Sequence, residues 1–292
     1  MLVKNSLLKL LLLISIVSFS SINQANDLAL TKLWEMDGLS TPEAVVYDKQ
    51  TNSLYVSNIN GSPFEKDRNG FISKVSLEGN IEVLKWSVGL SAPKGLAIHG
   101  DNLYVADINE LIEISLKNGE IKRRFYDANA VFFNDVISAD DGTIYVADSG
   151  TNTIHQLDAN GFSKWLKSVD LKSPNGLLME KDRMLVTAWG SDEEANTYPG
   201  QVLSISLDDK SITVIGDKHS EGNLDGIKKN TNGDYFITEW TVGKLLLLSQ
   251  SGESTTLLML GKGMADLDYI NSKKMLILPM LMSNKLVAYS TQ

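Results

Sequence analysis

From Val131 to Asp158 the chain reads VFFNDVISADDGTIYVADSGTNTIHQLD, three short runs in which branched and aromatic residues alternate with polar ones. A period of two with β-branched and aromatic enrichment predicts strands, and Asp140-Asp141-Gly142 is a hairpin turn between the first two. A second polar turn, Ser149 to Asn152, leads into TIHQLD. The same order of turn, strand, tight turn and strand returns at residues 94–116, 175–207 and 225–249, and more loosely at 43–76 and 266–289. Taking the residue just before each inner strand gives Glu43, Lys94, Asn134, Asn175, Asp225 and Asp266, at intervals of 51, 40, 41, 50 and 41. Six units of about 45 residues with four short strands each predict an all-β fold, a six-bladed β-propeller. A helical solenoid is excluded because the periodicity inside each unit is two rather than 3.6.

The last unit supplies only three strands, in DLDYI, MLILPM and KLVAYS, whereas TKLWEM near the other end alternates without a turn partner of its own. The expected closure therefore pairs Leu30 to Met36 beside Lys285 to Ser290, which joins the two ends of the domain in one sheet and covers an open edge. Strand direction places the loop after each second strand on the same face as the six anchor residues. The two long intervals arise there, from insertions at Asn58 to Gly70 and Gly190 to Gly200 in the first and fourth blades. Long loops in a compact repeat are commonly functional, and both are expected to overhang the mouth where the anchors converge. Trp189, Trp240 and Tyr198 fall on this face and are candidates for a substrate-binding wall.

The first 25 residues lie outside this pattern. Lys4 and Lys9 precede an apolar run from Leu10 to Phe19, and small or polar residues follow to Ala25. That order predicts a secretory signal over residues 1–25, a propeller domain over 26–292, and a periplasmic or secreted protein. Removing the segment takes the net charge from −9 to −11. Such an acidic chain has no electrostatic case for binding nucleic acid, and none for an anionic membrane once the signal is gone. The sequence contains no cysteine, so disulfides and thiol chemistry are excluded. A monomer acting on a small molecule is expected.

Inner-strand starts in a propeller point toward the central channel. Three carboxylates (Glu43, Asp225, Asp266), two carboxamides (Asn134, Asn175) and the Lys94 ammonium should therefore meet at one axis. Carboxylates at short range repel unless something positive lies between them, and an all-oxygen donor set favours a hard cation. Calcium is the first choice, with Mg2+ and Mn2+ next; Zn2+ is a weaker alternative, since it prefers His or Cys and neither stands at an anchor. The competing reading is that these groups cap strands and fill a wet channel. His99, His155 and His219 are scattered through strands and a loop and read as structural. Asp135, beside Asn134, would either orient the site or close a strand-start hydrogen bond.

The ordered anchors resemble those of the senescence-marker protein/gluconolactonase family of regucalcin-like lactonases, with the paraoxonases as more distant relatives. The likeness rests on Glu43 in TPEAVVYD, Asn134 in FFNDVISADDG, Asn175 in SPNGLLM and Asp225 in NLDGIKKNTNGDYF, and covers essentially the whole chain after the signal. It implies a divalent metal held by Glu43, Asn134, Asn175 and Asp225, with Asp225 also the general base of lactone or ester hydrolysis. Lys94 stands where paraoxonases carry a histidine, and would orient a substrate carboxylate or polarise a leaving oxygen, unless it forms an ion pair with Asp266 or Glu43. Asp266 joins the expected substrate-binding set. The first blade reads Pro-Glu-Ala where sugar lactonases commonly have Glu-Gly-Pro, a departure at the substrate rather than the metal. YVADSGTNTIHQLD is also similar to an NHL repeat, a motif of non-catalytic binding propellers; that alternative makes calcium a structural plug and the two long loops a ligand grip.

Overall fold

A computed structural model describes residues 28–190, 200–216 and 222–292. The proposed signal segment, Tyr198, His219 and nearly all of the second insertion lie outside the described residues. Six antiparallel four-stranded sheets form the described fold. Each of the first five is built from consecutive strands. Blade one comprises β2 (Pro42–Asp48), β3 (Ser53–Asn58), β4 (Gly70–Ser76) and β5 (Ile81–Leu90). Blade two comprises β6 (Pro93–His99), β7 (Asn102–Asp107), β8 (Glu110–Ser115) and β9 (Ile121–Tyr126). Blade three runs through β10 (Phe133–Ser138), β11 (Ile144–Asp148), β12 (Thr153–Asp158) and β13 (Gly161–Lys167). Blade four has β14 (Pro174–Met179), β15 (Arg183–Ala188), β16 (Val202–Ser206) and β17 (Ile212–Ile215). Blade five has β18 (Leu224–Lys229), β19 (Tyr235–Glu239), β20 (Lys244–Leu248) and β21 (Ser254–Met259). Inner strands contact inner strands of adjacent blades around a closed ring, a six-bladed β-propeller as the repeat predicts.

The sixth sheet is made from both ends of the domain. It orders β1 (Leu30–Met36), β24 (Lys285–Thr291), β23 (Met275–Met280) and β22 (Asp268–Ile270), with Leu30 opposite Thr291 and Met36 opposite Leu286. Pairing these ends fixes where the ring closes and gives β24 a partner on its outer side. Trp34 of β1 reaches beyond its own blade: its indole N–H donates to Leu77 O at 2.7 Å, and the ring packs on the buried cluster shared by blades one and six.

Burial follows the blade interfaces. Second strands are almost wholly buried and the inner strands of blades one to five are buried over their first four residues, whereas outer strands such as β9 and β13 keep mostly exposed or half-buried residues. Apolar side chains fill the wedge between neighbouring sheets, as in the cluster of Ala147, Ile154, Leu177, Val186 and Leu203 between blades three and four. His155 packs instead on Phe133 and Phe162 of the cluster between blades two and three. It is buried, stacked on Phe162 at 5.4 Å and edge-on to Phe133, and burial lowers its pKa, which keeps the ring neutral. The NHL-like segment forms β11 and β12, so its likeness describes the blade rather than the axis.

Truncating Trp34 tests the closure. Trp34→Ala should cost roughly 2 kcal/mol in denaturant unfolding, from lost packing and a vacated Leu77 carbonyl. An unchanged midpoint would show that β1 contributes little to closing the ring.

Candidate active site at the propeller axis

The anchors lie one residue inside their strands rather than just before them. Glu43, Lys94, Asn134, Asn175 and Asp225 are each the second residue of β2, β6, β10, β14 and β18. In all five strands the ladder slips over the same step, between Pro42 and Val45, Pro93 and Leu96, Phe133 and Val136, Pro174 and Leu177, and Leu224 and Ile227. A bulge bends its strand and redirects a side chain. Repeated at one position, it brings five functional groups to a common hub. Proline opens three of these strands, where no ladder donor is required.

Local chemistry supports the bulge. The backbone N–H groups it frees are captured by hydroxyls near the ends of second strands: Ala44 N donates to Ser57 Oγ at 2.9 Å and Gly226 N to Thr238 Oγ1 at 2.8 Å. One residue further along, the side chain of Asp135 accepts from Val136 N of its own strand at 2.6 Å and from Leu177 N of the next blade at 2.7 Å. Elsewhere the position after the anchor is small because the next blade presses against it. A Cβ on Gly95 would stand 2.4 Å from Asp135 Cα, one on Gly176 would stand 2.3 Å from Asp225 O, and one on Gly226 would stand 2.3 Å from Asp266 Oδ1.

The last residues of the second strands hold the loops ahead of the anchors. Asp107 accepts from Ser91 N and Ala92 N at 2.8 and 2.7 Å, Asp148 from Val131 N and Phe132 N at 3.2 and 3.0 Å, and Asn58 from Ser40 N at 2.8 Å. These buried acids and amides are framework. Their signal in the sequence is the recurring YVSN and YVAD at strand ends.

Five anchors form the floor of a cavity of about 760 Å3: Glu43, Lys94, Asn134, Asn175 and Asp225. Its walls are largely apolar, with Phe64 of the first insertion against Phe132 and Trp189 against Trp240, ring centroids 5.0 and 5.6 Å apart. The first insertion thus overhangs the mouth through Pro63 and Phe64. Lys94 does not form the ion pair that was the alternative to a substrate role: its Nζ donates to Ala92 O at 3.1 Å and Pro63 O at 3.5 Å and lies 4.3 Å from the centre of the Phe132 ring. Burial pulls its pKa down to about 8, opposed by the nearby Glu43 and Asp107.

Asp266 departs from the expected substrate-binding set. It is not on the cavity wall. Its strand begins only at Asp268, so it has no bulge to redirect it; its N–H donates to Glu43 O, and its carboxylate faces Lys228 at 3.8 Å on the channel side away from the mouth. Asp135, Asp266, Asp268 and Lys228 make a second charged layer below the floor. Lys228 is held well above the usual lysine range by Asp266, Asp135 and Asp268, which outweigh its own desolvation. It escapes a sequence reading because it lies three residues after Asp225, where it looks like an outward-facing strand lysine.

The floor is short of positive charge. Burial, and then repulsion from Asp225 and Asp266, raises Glu43 well above the carboxylate range; burial and Asp135 push Asp225 up to about 8. Glu43 Oε2 and Asp225 Oδ1 are buried without a hydrogen-bond partner. The Asn134 and Asn175 amide nitrogens donate weakly, at 3.4 Å, to Ser149 Oγ and Leu224 O. No three His, Cys, Asp or Glu side chains among the described residues are arranged as a metal cage. A cation here would therefore depend on the asparagine oxygens as well as Glu43 and Asp225, an all-oxygen set that suits a hard ion of flexible coordination.

No protein-family model matches the chain, and no curated protein sequence is similar to it. Solved structures share its fold. A gluconolactonase from Xanthomonas campestris superposes with a TM-score of 0.70 at 13% identity, covering 91% of each chain. A protein proposed to be a gluconolactonase gives 0.67 at 16% identity, covering 91% of this chain and 92% of its own. A streptogramin B lyase gives 0.65 at 10% identity, over 91% of this chain and 98% of its own. The gluconolactonases are the structural neighbours that the anchor resemblance leads one to expect, and the likeness to all three is one of fold.

The raised carboxylate pKa values have a consequence for stability. Asp225 binds its proton more tightly folded than unfolded, so its contribution is complete below about pH 4 and is lost as pH rises through about 8. With a chelator present, the melting temperature should fall across that window, and Asp225→Asn should flatten the fall. A melting temperature independent of pH in the wild-type protein would contradict this electrostatic picture.

Proposed function

We propose that this chain is a divalent-cation-dependent hydrolase that opens lactones or related esters. The observation that carries the reading is the pair of buried, unpartnered carboxylate oxygens, Glu43 Oε2 and Asp225 Oδ1, on the floor of an otherwise apolar cavity. A ligand that is positively charged and oxygen-seeking satisfies both, and the gluconolactonase-like fold supports the same reading. Ca2+ is the preferred ion, with Mg2+, Mn2+ or Zn2+ as alternatives, and Glu43, Asn134, Asn175 and Asp225 would hold it. Bound there, it would polarise a carbonyl and acidify a water.

The chain's own groups supply the remaining chemistry. The Asp225 carboxylate takes a proton from the attacking water as the water oxygen bonds to the carbonyl carbon. When the ring C–O bond breaks, the proton passes to the leaving alkoxide and the product is a hydroxy acid. Lys94 Nζ stands at the same floor as a donor for that leaving oxygen; its long 3.5 Å contact to Pro63 O is the one a substrate oxygen would replace. The aromatic walls exclude water from the reacting centre. Export to the periplasm or medium, argued from residues 1–25, belongs to the same proposal.

Asp225→Asn tests the assignment. It keeps the size of the side chain and should lower lactone kcat by at least about a hundredfold while the circular dichroism spectrum is retained. A chelator should abolish turnover, and added Ca2+ or Mn2+ should restore it. Full activity in Asp225→Asn, or activity indifferent to chelator, would refute the mechanism.

A further inference from the structure

The cavity has two chemically distinct zones, and the upper one is not built for a polyol. Phe64 and Phe132 come from blades one and three, and Trp189 and Trp240 from blades four and five, so aromatic pairs rise from different halves of the ring above the charged floor. The rim is apolar as well: Phe64 is 68% exposed, Val131 56% and Met282 60%, and all three line the opening. Exposed apolar side chains gathered at one mouth mark a binding surface.

Among the described residues, several polar groups of the wall are already committed to the protein itself. Ser149 Oγ donates to Pro174 O at 2.6 Å, Ser173 Oγ to Ser149 O at 3.0 Å, and Asn284 Oδ1 accepts from Thr41 N at 2.7 Å. A sugar ring can lie on an indole, but its hydroxyls still need donors and acceptors around its edge. Placed against these walls, most would lose water without gaining a partner. A site that recognises hydroxyls must present groups that bond to them.

From these walls we infer that the substrate carries an aromatic or medium-length alkyl body beside its ester group, and that Phe64, Phe132, Trp189 and Trp240 determine this specificity. The inference rests on the hydrolase reading for the reacting ester; the apolar class of ligand rests on the walls alone. The reacting carbonyl lies at the floor near Glu43 and Asp225, and the apolar body lies between the aromatic pairs. A volume of about 760 Å3 accommodates a lactone ring with such a substituent.

The test uses the full exported chain with Ca2+ or Mn2+ supplied. Substrates are glucono-δ-lactone, dihydrocoumarin, and a δ-lactone series from δ-valerolactone to δ-decalactone. Expected kcat/KM rises by about fourfold per added methylene until the walls are filled, with glucono-δ-lactone the poorest of the set. Phe132→Ala and Trp240→Ala should lower kcat/KM for δ-decalactone by at least about tenfold, and for δ-valerolactone by much less. In parallel, the lactam analogue of dihydrocoumarin, which resists hydrolysis, should quench tryptophan fluorescence, and Trp189→Phe with Trp240→Phe should remove the response. Glucono-δ-lactone turned over as well as the alkyl lactones would overturn the inference and leave the hydrolase reading intact. Quenching by the lactam without turnover of any lactone would sink the hydrolase reading and uphold the apolar ligand class. The absence of both quenching and turnover would overturn the inference.

Discussion

Five carboxylates converge on the axis of this propeller against two ammonium groups. Glu43 and Asp225 share the cavity floor with Lys94, and Asp135, Asp266 and Asp268 surround Lys228 one layer below. All but Asp268 and Lys228 are buried. Fully ionised, the hub would carry three uncompensated negative charges in a place poor in water. Such a site holds protons against its ordinary pKa or recruits a cation, and each outcome is chemically useful. The lower layer is balanced in part by its own lysine; the upper layer is left open to a ligand.

Backbone geometry makes this convergence possible. Blade packing alone would turn side chains at the starts of inner strands alternately into neighbouring sheets. One bulge repeated five times aims the second residue of each strand at the axis, and the small residue that follows lets the next blade close in. Asp135 ties blade three to blade four, since its carboxylate receives the N–H two residues past the anchor in both, one step beyond the donors that hydroxyls take in blades one and five. Asp266 has no such bulge, which is why it faces the lower layer although it falls on the same repeat.

The repeat was legible because propeller blades are local: each strand pairs with its sequence neighbour, so hairpin turns and alternation print the fold directly onto the chain. The closing pair of β1 and β24 was legible for the complementary reason, one blade lacking a strand and one strand lacking a blade. The gathering of Glu43, Lys94, Asn134, Asn175 and Asp225 around one cavity also followed from counting positions. What counting could not show was depth along the axis. It gave Asp266 the same standing as Asp225, and it overlooked Lys228, because whether an alternating position ends in solvent, in a blade interface or in the channel depends on the twist of the sheet. The engagement of Lys94 with two carbonyls and the Phe132 ring was likewise invisible, since the first insertion supplies one of those carbonyls.

Counting protons during cation binding examines the hub most directly. Calorimetric titration of Ca2+ into the metal-free protein at pH 7, repeated in buffers of different ionisation enthalpy, reports both the number of ions bound and the protons they displace. With Asp225 holding a proton up to about pH 8 and Glu43 also raised, the expected result is one ion per chain with release of at least about one proton. Failure to bind Ca2+, Mg2+ or Mn2+, or binding with no proton released, would contradict the view that excess buried carboxylate at the axis is what this site is built on.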